Sequence, residues 1–217
     1  SRTQQGLHWL LLCLHTMQHT PTVQRVCSGV GPLSPNGRSS ANYDGGMDFG
    51  PEQGTVSVRT GVAGSAARMG HRLVLSVNEW SAQVEVAGGE PTSLIFRASL
   101  SSLKVASGSG GVTPLTIVDK QVIQRNASKS LDVGEYPEAV FDCHNIVMTD
   151  ATIDVAGDLT IHGVTEAIDT TLTIVDGRAQ GSVPVVQSDF GIKPYSAMLG
   201  QLKVSDEVTV ELDIALP

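Results

Sequence analysis

Positively charged residues are scarce in this chain of 217 residues. Lys and Arg together number 14 against 22 Asp and Glu, so the formal net charge is −8. This balance argues against nucleic acid as a partner, because phosphates are neutralised by clustered Lys and Arg. The acidity belongs to the second part of the chain, since residues 1–48 hold three Arg and only two Asp.

Cysteine and long apolar runs are also scarce. The cysteines Cys13, Cys27 and Cys143 form no C-x-x-C pair, so nothing supports a disulfide framework or a zinc site of the usual spacing. We therefore expect no metal and no cofactor. The longest apolar run, Leu7–Leu14, falls short of the roughly 20 residues that span a membrane. We predict no transmembrane segment.

The N-terminal tail has the composition of a linker. Leu7–Leu14 is similar to the core of a secretory signal, but it contains His8 and no Ala-x-Ala cleavage site follows. We favour a cytoplasmic location over a secreted or periplasmic one, and interpret the tail as part of a fragment or of an upstream extension. Residues 20–48 are turn-rich, with few apolar side chains to offset the entropy cost of ordering. We predict a poorly ordered tail over residues 1–48 and a folded domain over residues 49–217.

Aromatic residues make up only 4% of the chain, so a buried interior would be lined mainly by aliphatic side chains. From residue 54 onward, apolar residues recur mostly at every second position, as half-buried strands require. Residues 118–131 instead have helical spacing, and residues 64–70 favour a short helical turn. We predict an all-β fold of eight antiparallel strands and one helix, arranged as a barrel or a two-sheet sandwich. An eight-stranded barrel is just wide enough for one small ligand, or is filled by its own side chains.

Six short segments carry a family resemblance. They are Gly54–Val56, Gly64–His71, Asp119-Lys120 with Ile123, Tyr136–Glu138 with Phe141, Gly157–Thr165 and Asp189–Ile192. Through this ordered set, the chain from about Phe49 to Leu216 resembles the YceI-like family of bacterial polyisoprenoid-binding proteins. The resemblance implies an extended lipocalin-like β-barrel with an apolar lumen that takes a long isoprenoid or another lipid. Several members of the family are dimers, so the resemblance leaves open whether this chain is a monomer or a homodimer.

The function implied by this resemblance is the binding of a long apolar ligand for transport or storage. Catalysis is not expected, because the chain contains no GxSxG, HExxH or Walker motif. Two alternatives remain. One is a non-catalytic structural or stress-related barrel whose core is filled by its own side chains, and the other is a lipid-ester hydrolase.

The candidate ligand-binding residues form two groups. The first would face the lumen and consists of Leu73, Leu75, Phe96, Leu159, Ile161, Leu172, Val210 and Leu212. The second is the cluster of Arg68, His71 and Arg72, which could contact a polar or pyrophosphate head group at one mouth. His71 could equally satisfy backbone groups at the rim. If the head group lies at the other mouth, Lys120 and Arg125 of the predicted helix become the candidates.

Overall fold

Residues 45–217 are described by a computed structural model. Twelve strands and one α-helix follow one another as β1 (Gly45–Phe49), β2 (Gly54–Ala63), β3 (His71–Val77), β4 (Trp80–Ala87), β5 (Glu90–Ser99), β6 (Leu103–Gly110), α1 (Ile117–Ser130), β7 (Glu138–Met148), β8 (Thr152–Ile161), β9 (Val164–Val175), β10 (Arg178–Val186), β11 (Ser196–Ala197) and β12 (Leu202–Ala215). The predicted all-β antiparallel fold with one helix is confirmed. The prediction for residues 1–44 lies outside the described residues.

The predicted number of eight strands is wrong. Among the strands that the sequence pattern misses are β1, β6 and β11. β6 ends in Ser107–Gly110, whose glycines and serines have low strand propensity, yet it pairs along the whole of β3; tertiary pairing overrides propensity here. Gly108 also makes room for a neighbour, since a Cβ there would lie 2.3 Å from Leu115 Cδ1.

Strand β1 crosses the predicted domain boundary between residues 48 and 49. It pairs antiparallel with β4, from Gly45 opposite Val86 to Phe49 opposite Ala82. The described sheet therefore begins four residues earlier than the predicted folded domain.

The strands form one curled antiparallel sheet. Its order is β1-β4-β5-β7-β8-β9-β10-β12-β2-β3-β6, with β11 paired to β12. Within residues 45–217, no ladder joins the two outer strands β1 and β6. The architecture is therefore a curled half-barrel, rather than a fully hydrogen-bonded closed barrel.

The sheet also splays between β9 and β10. These strands pair only from Thr173–Val175 to Arg178–Gln180, although each is paired along most of its other edge. A 3-10 turn, Gln187–Phe190, packs against β9 and β12. It buries Phe190 at 2% exposure, beside Ile192 at 3%. This turn fills part of the gap that the separated strands leave.

The predicted helix over residues 118–131 is observed as α1, Ile117–Ser130, and the predicted helical turn is a 3-10 turn, Ala67–Met69. A reciprocal cap begins the helix: Asp119 N–H donates to Thr116 Oγ1, and Thr116 N–H donates to Asp119 Oδ2. Such capping satisfies backbone donors that have no partner within the helix. Ile123 of the helix and Leu131, the residue directly after it, pack against the apolar core.

Two apolar clusters form the core. The larger joins β2 and β3 to β4, β5 and β6, and includes Leu75, Trp80 and Ala98. The smaller surrounds Phe190, with Val185 and Ile192. Val210 packs against both clusters, so β12 runs along the interior that they share.

Candidate functional site

The curled sheet encloses an apolar cavity of about 820 Å³. Every strand except the two-residue β11 contributes lining side chains, and α1 contributes Ile123, Asn126, Ala127 and Ser130. Ligand pockets typically measure about 300–1,000 Å³. The interior is therefore large enough for a ligand.

All eight residues predicted to face the lumen line this cavity. They are Leu73, Leu75, Phe96, Leu159, Ile161, Leu172, Val210 and Leu212. Alternation explains the result, because successive side chains of a strand point to opposite faces. On β12 the intervening Glu211 and Asp213 pair outside with Arg59 and Arg178, which leaves the even-numbered apolar residues facing inward.

The cavity lining holds few polar side chains. Those able to ionise among the described residues are His71, Tyr195 and Lys203, and the lining contains no Asp or Glu. Sequence analysis did not single out Tyr195 or Lys203. Lys203 adjoins a register shift in the pairing of β12 with β2, between Val204 and Val208. Because of this irregularity, counting alternate residues along β12 does not tell which face of the sheet the Lys203 side chain is on.

His71 joins β3 to the chain that leads into α1. Its Nε2 lies 2.8 Å from the Thr113 carbonyl oxygen, so a protonated Nε2 donates a hydrogen bond there. The ring also occupies the space beside Gly111, where a Cβ would lie 2.3 Å from Nε2. Gly111 has a φ of +75°, which further favours glycine. His71 thus tethers the rim as well as lining the cavity.

The other predicted head-group residues lie outside the lining. Arg68 and Arg72 are exposed on either side of His71. Lys120 Nζ donates to the Ala106 carbonyl over 3.0 Å, and Arg125 Nε donates to the Gln121 carbonyl over 3.4 Å. Their contact with a head group stays a prediction.

The carboxylate of Asp119 carries a negative charge at the start of α1. Hydrogen bonds from the side chain and backbone of Thr116 lower the pKa of Asp119, which keeps that carboxylate charged as the helix cap. The positive charge that His71 can carry lowers the pKa of Asp119 a little further, so the helix cap lies near the cavity rim.

Two further features bear on the chemistry that the site offers. Within residues 45–217, no group of three His, Cys, Asp or Glu side chains is arranged to hold a metal ion. In the same part of the chain, no helix combines the length and apolarity that a membrane crossing demands.

Comparisons with known proteins give a family match and similar solved structures. The profile of the YceI-like domain matches residues 51–216. A search of curated proteins finds no match. Among solved structures, the chain is similar to BcnA of Burkholderia cenocepacia, with a TM-score of 0.56 and 18% identity over 76% of this chain and 96% of that one. It is also similar to the YCEI protein of Campylobacter jejuni, with a TM-score of 0.41 and 13% identity over 91% of this chain and 96% of that one.

Proposed function

The chain belongs to the YceI-like family, and on that premise we propose that it binds one long-chain lipid, of the polyisoprenoid type or similar, for transport or storage. The observation that carries the proposal is the cavity of about 820 Å³ with its apolar lining. A core filled by its own side chains would leave no such space. The eight lumen-facing residues form the proposed wall.

Binding would be driven by burial of the lipid chain. Each CH₂ moved from water into an apolar interior gains about 0.8 kcal/mol, whereas ordering the chain and the protein costs part of that gain. At about 30 Å³ per group, the share of one water in the liquid, a completely filled cavity of 820 Å³ takes at most on the order of 27 groups of that size. That corresponds to roughly five isoprene units, so a longer chain would protrude.

Native mass spectrometry of the full chain mixed with a prenol of five isoprene units tests this function. We expect one prenol per chain, retained when free lipid and detergent are removed. A protein that stays unloaded at saturating prenol would contradict the proposal and favour a structural barrel.

We propose that the head group binds at the His71 side of the cavity. Lys203 and His71 line the cavity there, Arg68 and Arg72 flank them, and no Asp or Glu of residues 45–217 lines the cavity to repel an anion. Hydrogen bonds to charged groups contribute about 1.5–3 kcal/mol each. Such a site favours a neutral or anionic head group over a cationic one.

The double substitution Arg68→Ala and Arg72→Ala tests this placement. We expect at least tenfold weaker binding of a prenyl pyrophosphate and nearly unchanged binding of the prenol of equal length, measured by displacement of a fluorescent fatty acid. Lys104→Ala, an exposed position on β6, is the matched control. Equal weakening of both ligands would show that the arginines support the rim instead of binding the head group.

A further inference from the structure

Large apolar side chains are exposed mainly on one side of the described structure. Of the eleven that are exposed, eight belong to the segments around His71, and the other three lie at the far ends of β7 and β9. The eight are Met69, Val112, Ile117, Val118, Val122, Tyr195, Met198 and Leu199. A cluster of apolar side chains on a solvent-exposed surface typically marks an interaction site.

Hydrogen bonds hold these segments together at the cavity. Ala66 N–H donates to the Gln201 carbonyl over 2.9 Å, and Val204 N–H donates to the Tyr195 carbonyl over 2.9 Å. We call residues 64–72 and 193–203 the portal lip. Met69, Tyr195 and Lys203 of the portal lip also line the cavity, so its exposed apolar groups continue into the interior.

The portal lip is basic in an acidic protein. Its two segments contain Arg68, Arg72, Lys193 and Lys203 and no Asp or Glu, against a net charge of −8 for the whole chain. None of these four forms an ion pair with another residue of 45–217. The hairpin turns at the opposite ends of the strands differ: residues 88–90, 149–151 and 176–177 each contain one carboxylate and no cation. These turns therefore carry charge of the opposite sign to that of the portal lip.

The tip of the portal lip presents its apolar groups to solvent. Met198 and Leu199 both adopt left-handed backbone conformations, with φ of +52° and +53°. Leu199 is fully exposed at 103%, and Met198 is 49% exposed. A bulky residue at positive φ is an unfavourable arrangement that persists only when the surrounding structure holds it.

We propose that the portal lip docks on a membrane surface that contains anionic lipids. The inference rests on the proposed function, because a lipid with low solubility in water has to enter the cavity from a lipid phase. Exposed apolar tips insert into the boundary between head groups and acyl chains, while cations beside them are attracted to anionic head groups. Docking through the portal lip would place the opening of the cavity on the bilayer.

Vesicle flotation of the full chain tests the docking surface. We expect binding to vesicles of phosphatidylcholine with 30% phosphatidylglycerol and at least tenfold weaker binding to pure phosphatidylcholine, with a further loss as salt is added. The pair Met198→Asp and Leu199→Asp should weaken binding at least tenfold, and Lys193→Glu should do the same. The matched controls are Val175→Asp, an exposed apolar position beside a hairpin turn, and Lys104→Glu, and neither should change binding by more than twofold.

Native mass spectrometry with the prenol, on the same proteins, separates docking from ligand binding. Met198, Leu199 and Lys193 do not line the cavity, so their variants should keep the prenol that is added from detergent. Absence of wild-type binding to the anionic vesicles, or equal binding by variants and controls, would overturn the docking surface even if the cavity is loaded. An oligomer that dissociates in the Met198 and Leu199 variant, without vesicle binding, would also overturn it and assign the patch to a second copy of the chain.

Discussion

Replacing Phe190 by Ala should lower the free energy of unfolding by about 3–5 kcal/mol, the usual cost of removing a buried phenyl ring. Phe190 is only 2% exposed and belongs to the 3-10 turn that fills part of the gap between β9 and β10. Several bonds fix this turn: Ser188 N–H donates to Asp206 Oδ1 over 2.9 Å, and Gln187 Nε2 donates to the Ser205 carbonyl over 2.9 Å. The backbone cannot readily collapse into the space that the ring leaves.

Thermal unfolding followed by circular dichroism measures this effect. In a domain of this size, each kcal/mol shifts Tm by about 2–4 °C, so we expect Tm to fall by roughly 6–20 °C. Asp189→Ala, at the exposed neighbouring position, should change stability by less than about 1 kcal/mol. A similarly small change for Phe190→Ala would show that filling the gap between β9 and β10 with the phenyl ring does not stabilise the protein.

Replacing Val210 by Trp should block the cavity without unfolding the protein. Val210 lines the cavity, packs against both apolar clusters, and lies opposite Val58 on β2 and Val183 on β10. In a filled core, an oversized side chain costs about 1–3 kcal/mol, whereas here it has open space to occupy. We expect a prenol of five isoprene units to bind at least a hundredfold more weakly, while a prenol of two units keeps part of its affinity.

The matched control for this substitution lies one residue away on the same strand. Thr209→Trp places the same ring on the face that does not line the cavity, so it should leave prenol affinity within about threefold. Circular dichroism should show the wild-type strand content for both variants. Unchanged prenol binding by a folded Val210→Trp protein would exclude this cavity as the ligand site.

The residues facing the lumen could be predicted because alternation follows from strand geometry alone. Val210 and Leu212 alternate with charged neighbours, and β8 and β9 show the same pattern, so burial of one face fixes their direction. The helix could be predicted from its spacing, and its start within one residue. Alternation and helical spacing are local signals, so they do not depend on how strands distant in the sequence pair.

The remaining features depend on contacts that local patterns do not contain. β6 is a strand because β3 pairs with it, not because Ser107 and Gly108 favour one. Asn126 and Ser130 line the cavity because α1 packs beside β6 at the edge of the sheet. Lys203 lines it beside a register shift. The gap between β9 and β10 is likewise a property of the assembled sheet, since β9 has ordinary strand periodicity throughout.

Burial of a lipid chain in the cavity predicts that ligand affinity depends on the length of the chain. Prenols of two to eight isoprene units would be titrated into the full chain, and the dissociation constants measured by native mass spectrometry. We expect one ligand per chain and an affinity that rises at least tenfold per added unit up to about five units, because each unit buries more CH₂ surface. Beyond that length the cavity of about 820 Å³ is full and the affinity should level off. Affinity independent of length from two to eight units, or no binding at any length, would contradict burial of a lipid chain in this cavity.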